Sequence, residues 1–126
     1  MARYEVTFET RFSAKHALRH YRGRTEPPHR HCFRVAVIVS AARLDRSGMA
    51  IDFLDLEKAV SAEVARLRGR YLNAEVPEFL AGRRSPSAEN MAAVIFRRLE
   101  KALPKAVRLE RVTIGEARGC SAACVR

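Results

Sequence analysis

Polar and apolar residues alternate with a period of two in two runs near the N-terminus, a pattern that suits strands and not helices. Tyr4, Val6, Phe8 and Phe12 alternate with Glu5, Thr7, Glu9 and Arg11, giving a strand with one buried face. A polar, basic stretch from Arg19 to Pro28 separates this run from a second one, His31 to Ala42. There Phe33, Val35, Val37 and Val39 share a face. Ala36 and Ile38 make the opposite face partly apolar, which predicts cover on both sides. Asp45 to Gly48 makes a turn.

The period then changes to that of a helix. Behind Asp52 as cap, Phe53, Leu56, Val60, Val64 and Leu67 form one apolar stripe that Gly69 ends. Tyr71 to Arg84 is irregular. Ser85-Pro86-Ser87 opens a second helix, with Met91, Val94, Ile95, Leu99 and Leu103 as its stripe and Pro104 as its stop. Val107 to Glu116 reads as a third strand, Ala117 to Gly119 as a turn, and Cys120 to Arg126 as a short fourth strand. The order strand, strand, helix, helix, strand, strand predicts an α+β fold: a four-stranded antiparallel sheet with two helices on one face.

At 126 residues the chain is expected to form one domain, 1–126, long enough to bury about two-thirds of its extended surface. Hydrophobic residues at 48% and charged residues at 30% exclude a disordered chain. No apolar run approaches the roughly 18 residues that cross a bilayer. The alternating N-terminus is unlike a signal or transit peptide, so a cytoplasmic location is expected. The three cysteines form no Cys-x-x-Cys pair and read as small buried thiols in a reducing compartment. Lys plus Arg outnumber Asp plus Glu by 24 to 14, a net charge of +10. That excess suits nucleic acid, an anionic membrane surface or an anionic small molecule.

His29 and His31 are two apart at the start of a strand, so both side chains take one face. His16 lies just beyond the preceding strand and reaches the same spot if the two strands pair antiparallel. Three converging imidazoles suit a zinc ion with an open fourth position. Spacing alone leaves an ordinary surface or core role open.

Four surrounding segments carry a resemblance. Phe12-Ser13-Ala14-Lys15-His16, His29-Arg30-His31, the run Gly48 to Leu56 and Pro86-Ser87-Ala88-Glu89-Asn90 resemble, in order and spacing, the signatures of the 6-pyruvoyltetrahydropterin synthase and 6-carboxytetrahydropterin synthase family. Glu116 stands where that family has a glutamate ending its third strand. The resemblance implies the tunnelling fold (T-fold), with zinc bound by His16, His29 and His31. It also implies a pterin ring anchored by Glu116 with help from Ser87 and Glu89. A carboxylate can accept the adjacent N–H and amine of a pterin edge as a bidentate pair. Ser87 and Glu89 also have an ordinary reading, as helix cap and dipole partner.

The chain departs from the family at the catalytic positions. Family members carry an acid–base cysteine before the His-x-His pair, and Arg22 to Pro28 has none. Some relatives place a glutamate three residues before the pair; Glu26 holds that place and is the candidate general base. The family's Leu-Asp-His-x-x-Leu-Asn becomes Leu67-Arg68-Gly69-Arg70-Tyr71-Leu72-Asn73. The framing residues stay, but the Asp–His relay is replaced by two residues that do not shuttle protons. His20 is the candidate substitute, against an ordinary place in an exposed loop. Arg30 replaces a glycine between the zinc histidines and should point away from the metal.

These features lead to three functional expectations. The first is a pterin-binding protein that has kept the anchor and the three-histidine site but lost the usual synthase chemistry. The second is a zinc-dependent lyase or aldolase-type variant acting on 7,8-dihydroneopterin triphosphate through Glu26. The third, and most distant, is a nucleic-acid binder driven by the basic surface. The resemblance further implies a homohexamer built from two stacked trimers. It also places Lys15, Arg22, Arg24, Arg30, Arg68 and Arg70 in segments around the site, which suits a phosphorylated heterocycle; a generally basic solvated surface is the alternative.

Overall fold

The computed structural model describes residues 2–126. Strands β1 (Tyr4–His16), β2 (His29–Ala41), β3 (Arg108–Ala117) and β4 (Cys120–Val125) form one antiparallel sheet in the order β1-β2-β3-β4. Helices α1 (Phe53–Ala65) and α3 (Ala88–Ala102) pack on one face. Between them lie a short helix, α2 (Leu72–Glu75), and a 3-10 turn at Pro77–Phe79, both within the stretch read as irregular.

Much of the alternation read from the sequence becomes the core, although at the start of β1 Tyr4 is exposed and Val6 and Phe8 are half-buried. Phe12 and Ala14 from β1, Phe33, Val35, Val37 and Val39 from β2, and Val112 and Ile114 from β3 are buried under Leu56, Val60 and Val64 of α1 and Met91, Ile95 and Leu99 of α3. Each of these side chains other than Ala14 contributes about 1.5–3 kcal/mol on leaving water. Asp52 caps α1 by accepting from the Leu54 N–H at 2.9 Å, and Ser87 caps α3 by accepting from the Asn90 N–H at 3.1 Å.

Several expectations shift. Phe53 is 66% exposed, because it starts α1 and the buried stripe begins one turn later, at Leu56. The helix closes at Ala65, and Gly69 (φ +74°) belongs to the turn after it. β2 begins at His29, so both histidines of the pair lie within the strand. Cys32 and Cys120 are exposed and Cys124 is half-buried. Cys32 lies on the helix-free face by alternation from the buried Phe33, and Cys120 opens β4 at a turn. That free face is not apolar throughout: Ala36 and Ile38 are half-buried, whereas the facing cations Arg11 and Arg34 are paired across β1 and β2.

Two register shifts shape β3. Ile38 faces Arg111 and Val39 faces Leu109, leaving Glu110 as an extra residue. Gly115 faces Ser121 and Ala117 faces Cys120, leaving Glu116 as a second. Bulges of this kind re-aim side chains and occur often beside active sites.

Candidate metal centre and its surroundings

The antiparallel register sets His16 opposite His29 and Ala14 opposite His31. The three histidines therefore share the helix-covered face at one end of the sheet. Their rings stand edge to face, with centroids 4.6 Å apart for His16–His29 and His29–His31 and 5.4 Å for His16–His31. Phe33 backs His16 and His31 at 5.3 and 5.6 Å. The bulged Glu116 completes the group: its Oε1 lies 3.1 Å from His31 Nε2 and 3.5 Å from His16 Nε2. One ligand atom from each of these four residues lies within 4.8 Å of all the others.

Two carbonyls fix the imidazole tautomers. His16, fully buried, places Nδ1 2.7 Å from the Pro86 carbonyl, and His29 places Nδ1 3.1 Å from the Pro27 carbonyl. A carbonyl only accepts, so both Nδ1 atoms carry the hydrogen. Both Nε2 atoms then present lone pairs, and they face each other at 3.1 Å. Two lone pairs at that distance repel unless a cation lies between them. Tetrahedral zinc with Zn–N bonds near 2.0–2.1 Å sets its nitrogens about 3.3 Å apart. The donor set thus fits a divalent metal, and the carbonyl-bound Nδ1 atoms supply the outer support that metal-binding histidines need. Burial holds the His31 imidazole below its ordinary 6.5, aided by the His29 and His16 rings, although Glu116 pulls the other way. That direction favours the neutral imidazole, the form that ligates.

The neighbouring segments are held in place by named contacts. The Arg19 N–H donates to Ser85 Oγ at 2.9 Å, and its guanidinium donates to the carbonyls of Phe79, Leu80 and Arg84. This clamp fixes the chain before α3, which brings the Pro86 carbonyl to His16. Asn73 pairs with the backbone of Ala17 in both directions, accepting from its N–H at 2.9 Å and donating to its carbonyl at 2.7 Å. It thereby fixes the end of β1 immediately after His16.

Glu26 lies on the rim of the cluster. Its Oε1 accepts from the Leu18 N–H at 3.0 Å and stands 3.7 Å from His29 Nε2. Its own N–H donates to the Leu18 carbonyl at 3.0 Å, so the loop returns the carboxylate to the histidine cluster. Ser87 and Glu89 stand at the start of α3, next to Pro86 but outside the cluster; Ser87 is occupied as a cap and Glu89 is exposed. His20 is exposed in the loop with φ +58° and is not in the cluster.

Gly69 and Arg70 dock on the edge of β1, the Gly69 N–H to the Ser13 carbonyl at 2.7 Å and the Lys15 N–H to the Arg70 carbonyl at 2.9 Å. Arg68 and Gly69, where the resemblance leads one to expect an Asp–His pair, thus lie next to the strand that ends in His16, and neither supplies a carboxylate or an imidazole to it. Arg30 and Lys15, which alternate with the histidines, belong to the opposite face of the sheet. Those two charges do not line the histidine site, because the pleat sends them away from it.

Sequence reasoning placed the three histidines together but did not foresee Glu116 meeting them. Nor did it identify the Pro86 and Pro27 carbonyls as their supports. Backbone carbonyls leave no trace in a sequence, whereas Gly115 before Glu116 was a legible hint of a bulge.

These features define an α+β protein with a histidine-rich cluster, able to hold a metal ion, at the end of an antiparallel sheet. The sequence profile of the 6-pyruvoyl tetrahydropterin synthase family matches residues 5–126, and the chain belongs to that family. It is 32% identical over 111 residues to a dihydroneopterin monophosphate aldolase of Pyrococcus furiosus, a match covering 88% of each chain. It is 36% identical over 99 residues to a 6-carboxy-5,6,7,8-tetrahydropterin synthase of Synechocystis, covering 75% of this chain and 73% of that one. The structure of the Caenorhabditis elegans 6-pyruvoyl tetrahydropterin synthase superposes with a TM-score of 0.83 at 22% identity, covering 100% of this chain and 97% of the other. That superposition confirms the T-fold.

Proposed function

We propose that this chain is a zinc-dependent pterin enzyme that cleaves the side chain of a phosphorylated dihydroneopterin in aldolase fashion. The observation that carries this reading is the Glu26 carboxylate, tied to Leu18 and 3.7 Å from His29 at the edge of the histidine cluster. One comparison supports it: a relative at 32% identity is a dihydroneopterin monophosphate aldolase.

His16, His29 and His31 would hold the zinc, which when bound polarises the oxygens of the substrate side chain. Glu116, whose Oε1 now faces His31 and His16, would turn its carboxylate to accept the N–H and amine of the pterin edge, with Ser87 and Glu89 at the start of α3 as proposed helpers. Glu26 takes the proton from the hydroxyl on the outer carbon of the bond to be broken. The C–C bond then cleaves, the hydroxyl carbon leaves as an aldehyde, and the electron pair passes into the conjugated dihydropterin ring. A proton returns to the ring-side carbon, so the step needs no oxidant and no second substrate.

This chemistry does without the thiol and the Asp–His relay that the chain lacks. Arg68 and Gly69 in place of that relay support a second reading, a pterin-binding protein without turnover. Among the described residues no helix is long and apolar enough to cross a membrane; the cytoplasmic location is part of the proposal. The edge of β1 before Ser13, which no strand covers among the described residues, and the half-buried Ala36 and Ile38 support a homohexamer closed through sheet edges.

Incubation of the zinc-loaded protein with dihydroneopterin monophosphate and triphosphate, followed by product analysis, tests the reading. Release of a hydroxymethyl-dihydropterin, lost in Glu26→Gln, is the expected result. Pterin binding without turnover would replace it with the binding-protein reading. Absence of both would refute the two together.

A further inference from the structure

A cavity of about 840 Å³ opens away from the histidines, between α1, α3 and the segment around Gly82. Val94, Arg97, Arg98 and Lys101 line it from α3 at positions i, i+3, i+4 and i+7, which is one face of the helix. Arg83 and Arg84 line it from the loop, and Val94 and Ala102 give it an apolar floor.

Its two carboxylates are already neutralised. One guanidinium nitrogen of Arg66 donates to both oxygens of Glu78 at 2.8 and 2.9 Å, and Arg98 Nε donates to Glu63 at 2.5 Å. Arg83, Arg84, Arg97 and Lys101 form no ion pair among the described residues, and all four are exposed. Four cations thus converge on one concavity with no protein counter-charge. Leaving them so close together has an electrostatic cost that a bound polyanion removes. The volume is that of a small-molecule site, and guanidinium groups match phosphate oxygens bidentately.

We infer that this cleft is a second ligand site, separate from the histidine centre, for a polyphosphorylated small molecule of nucleotide size. It sits on the middle and C-terminal part of α3, whereas the histidine cluster meets the chain just before its first turn, at Pro86. The apolar floor admits the organic part of the ligand, and the arginines and the lysine receive its phosphates.

Isothermal titration of the full-length, zinc-loaded protein with ATP and with inorganic tripolyphosphate tests this. Saturable binding of one ATP per chain, weakening with added salt, is expected. The double variant Arg97→Glu/Lys101→Glu, both positions being exposed, should lower that affinity by about ten-fold or more with an unchanged melting temperature. His31→Ala should leave it intact. Loss of binding in His31→Ala but not in the charge-reversed variant would assign the phosphates to the metal site and overturn the inference. So would binding to neither probe. Affinity for single-stranded oligonucleotides that rises steadily with their length, with ATP bound no better than adenosine, would show a nucleic-acid surface instead and would equally overturn it. Tripolyphosphate binding as tightly as ATP would retain the anion site and remove the role of the apolar floor.

Discussion

Replacing Asn73 with alanine removes one side chain and two hydrogen bonds, both to the backbone of Ala17. Ala17 is fully buried, so water cannot take over either bond without opening the structure. A hydrogen bond contributes about 1 kcal/mol net, but a buried group left without a partner costs about 1–3 kcal/mol. With an N–H and a C=O both orphaned, and some relaxation of the α2 segment, the expected loss is about 2–4 kcal/mol. Against a typical stability of about 5–15 kcal/mol this is a large fraction. For a chain of 126 residues it corresponds to a fall in Tm of about 8–16 °C. Urea unfolding followed by circular dichroism measures it.

Metal affinity should fall in the same variant, because Ala17 follows His16 directly. Asn73→Asp keeps the acceptor for the Ala17 N–H but sets a second carboxylate oxygen against the Ala17 carbonyl. At neutral pH it should destabilise at least as much as alanine. A loss under about 1 kcal/mol in Asn73→Ala, below the cost of even one orphaned buried group, would refute the idea that this amide fixes the end of β1.

Other substitutions test other parts of the structure. Phe33→Ala should cost about 3–5 kcal/mol in urea unfolding and loosen the metal site, since that ring packs between the core and the two rings of His16 and His31. Burial raises the Glu78 carboxyl, but its bonds to Arg66 outweigh this and hold it below the ordinary 4.5. The resulting stability is present above that value and disappears as pH falls through the depressed one. Arg66→Met should therefore flatten the decline of stability below about pH 4.5, and an unchanged acid limb would contradict the pairing. Arg11 and Arg34 face each other across β1 and β2, and facing like charges destabilise a sheet. Arg11→Glu should raise Tm by about 1–4 °C at low salt, and the gain should vanish at high salt.

The strands and helices were legible because one period governs each segment. Val35, Val37 and Val39 alternate strictly and are all buried, and Met91, Ile95 and Leu99 recur at helical spacing and are buried too. Boundaries were less legible. Leu67 extends the apolar stripe of α1 but packs from the turn beyond it, and periodicity does not distinguish a helical residue from one that merely continues the same face. The three histidines were legible from strand parity and antiparallel pairing. The fourth member, Glu116, depended on a bulge, which is a local count of residues on two strands and not a pattern in one. Of the charges grouped around the site by sequence proximity, Lys15 neighbours His16 in the chain and occupies the opposite face, whereas for Arg30 the strand alternation already pointed that way. The cleft on α3 escaped notice because its cations come from two segments and only packing brings them together.

The most direct test is the metal content of the protein purified without added chelator, followed by zinc titration of the apoprotein. One zinc per chain is expected, with affinity lowered by about 10–100-fold or more in His29→Ala and in His31→Ala. Glu116→Ala should keep the zinc and lose the pterin. Failure to bind zinc stoichiometrically, or binding that survives removal of both His29 and His31, would contradict a metal centre at the end of this sheet.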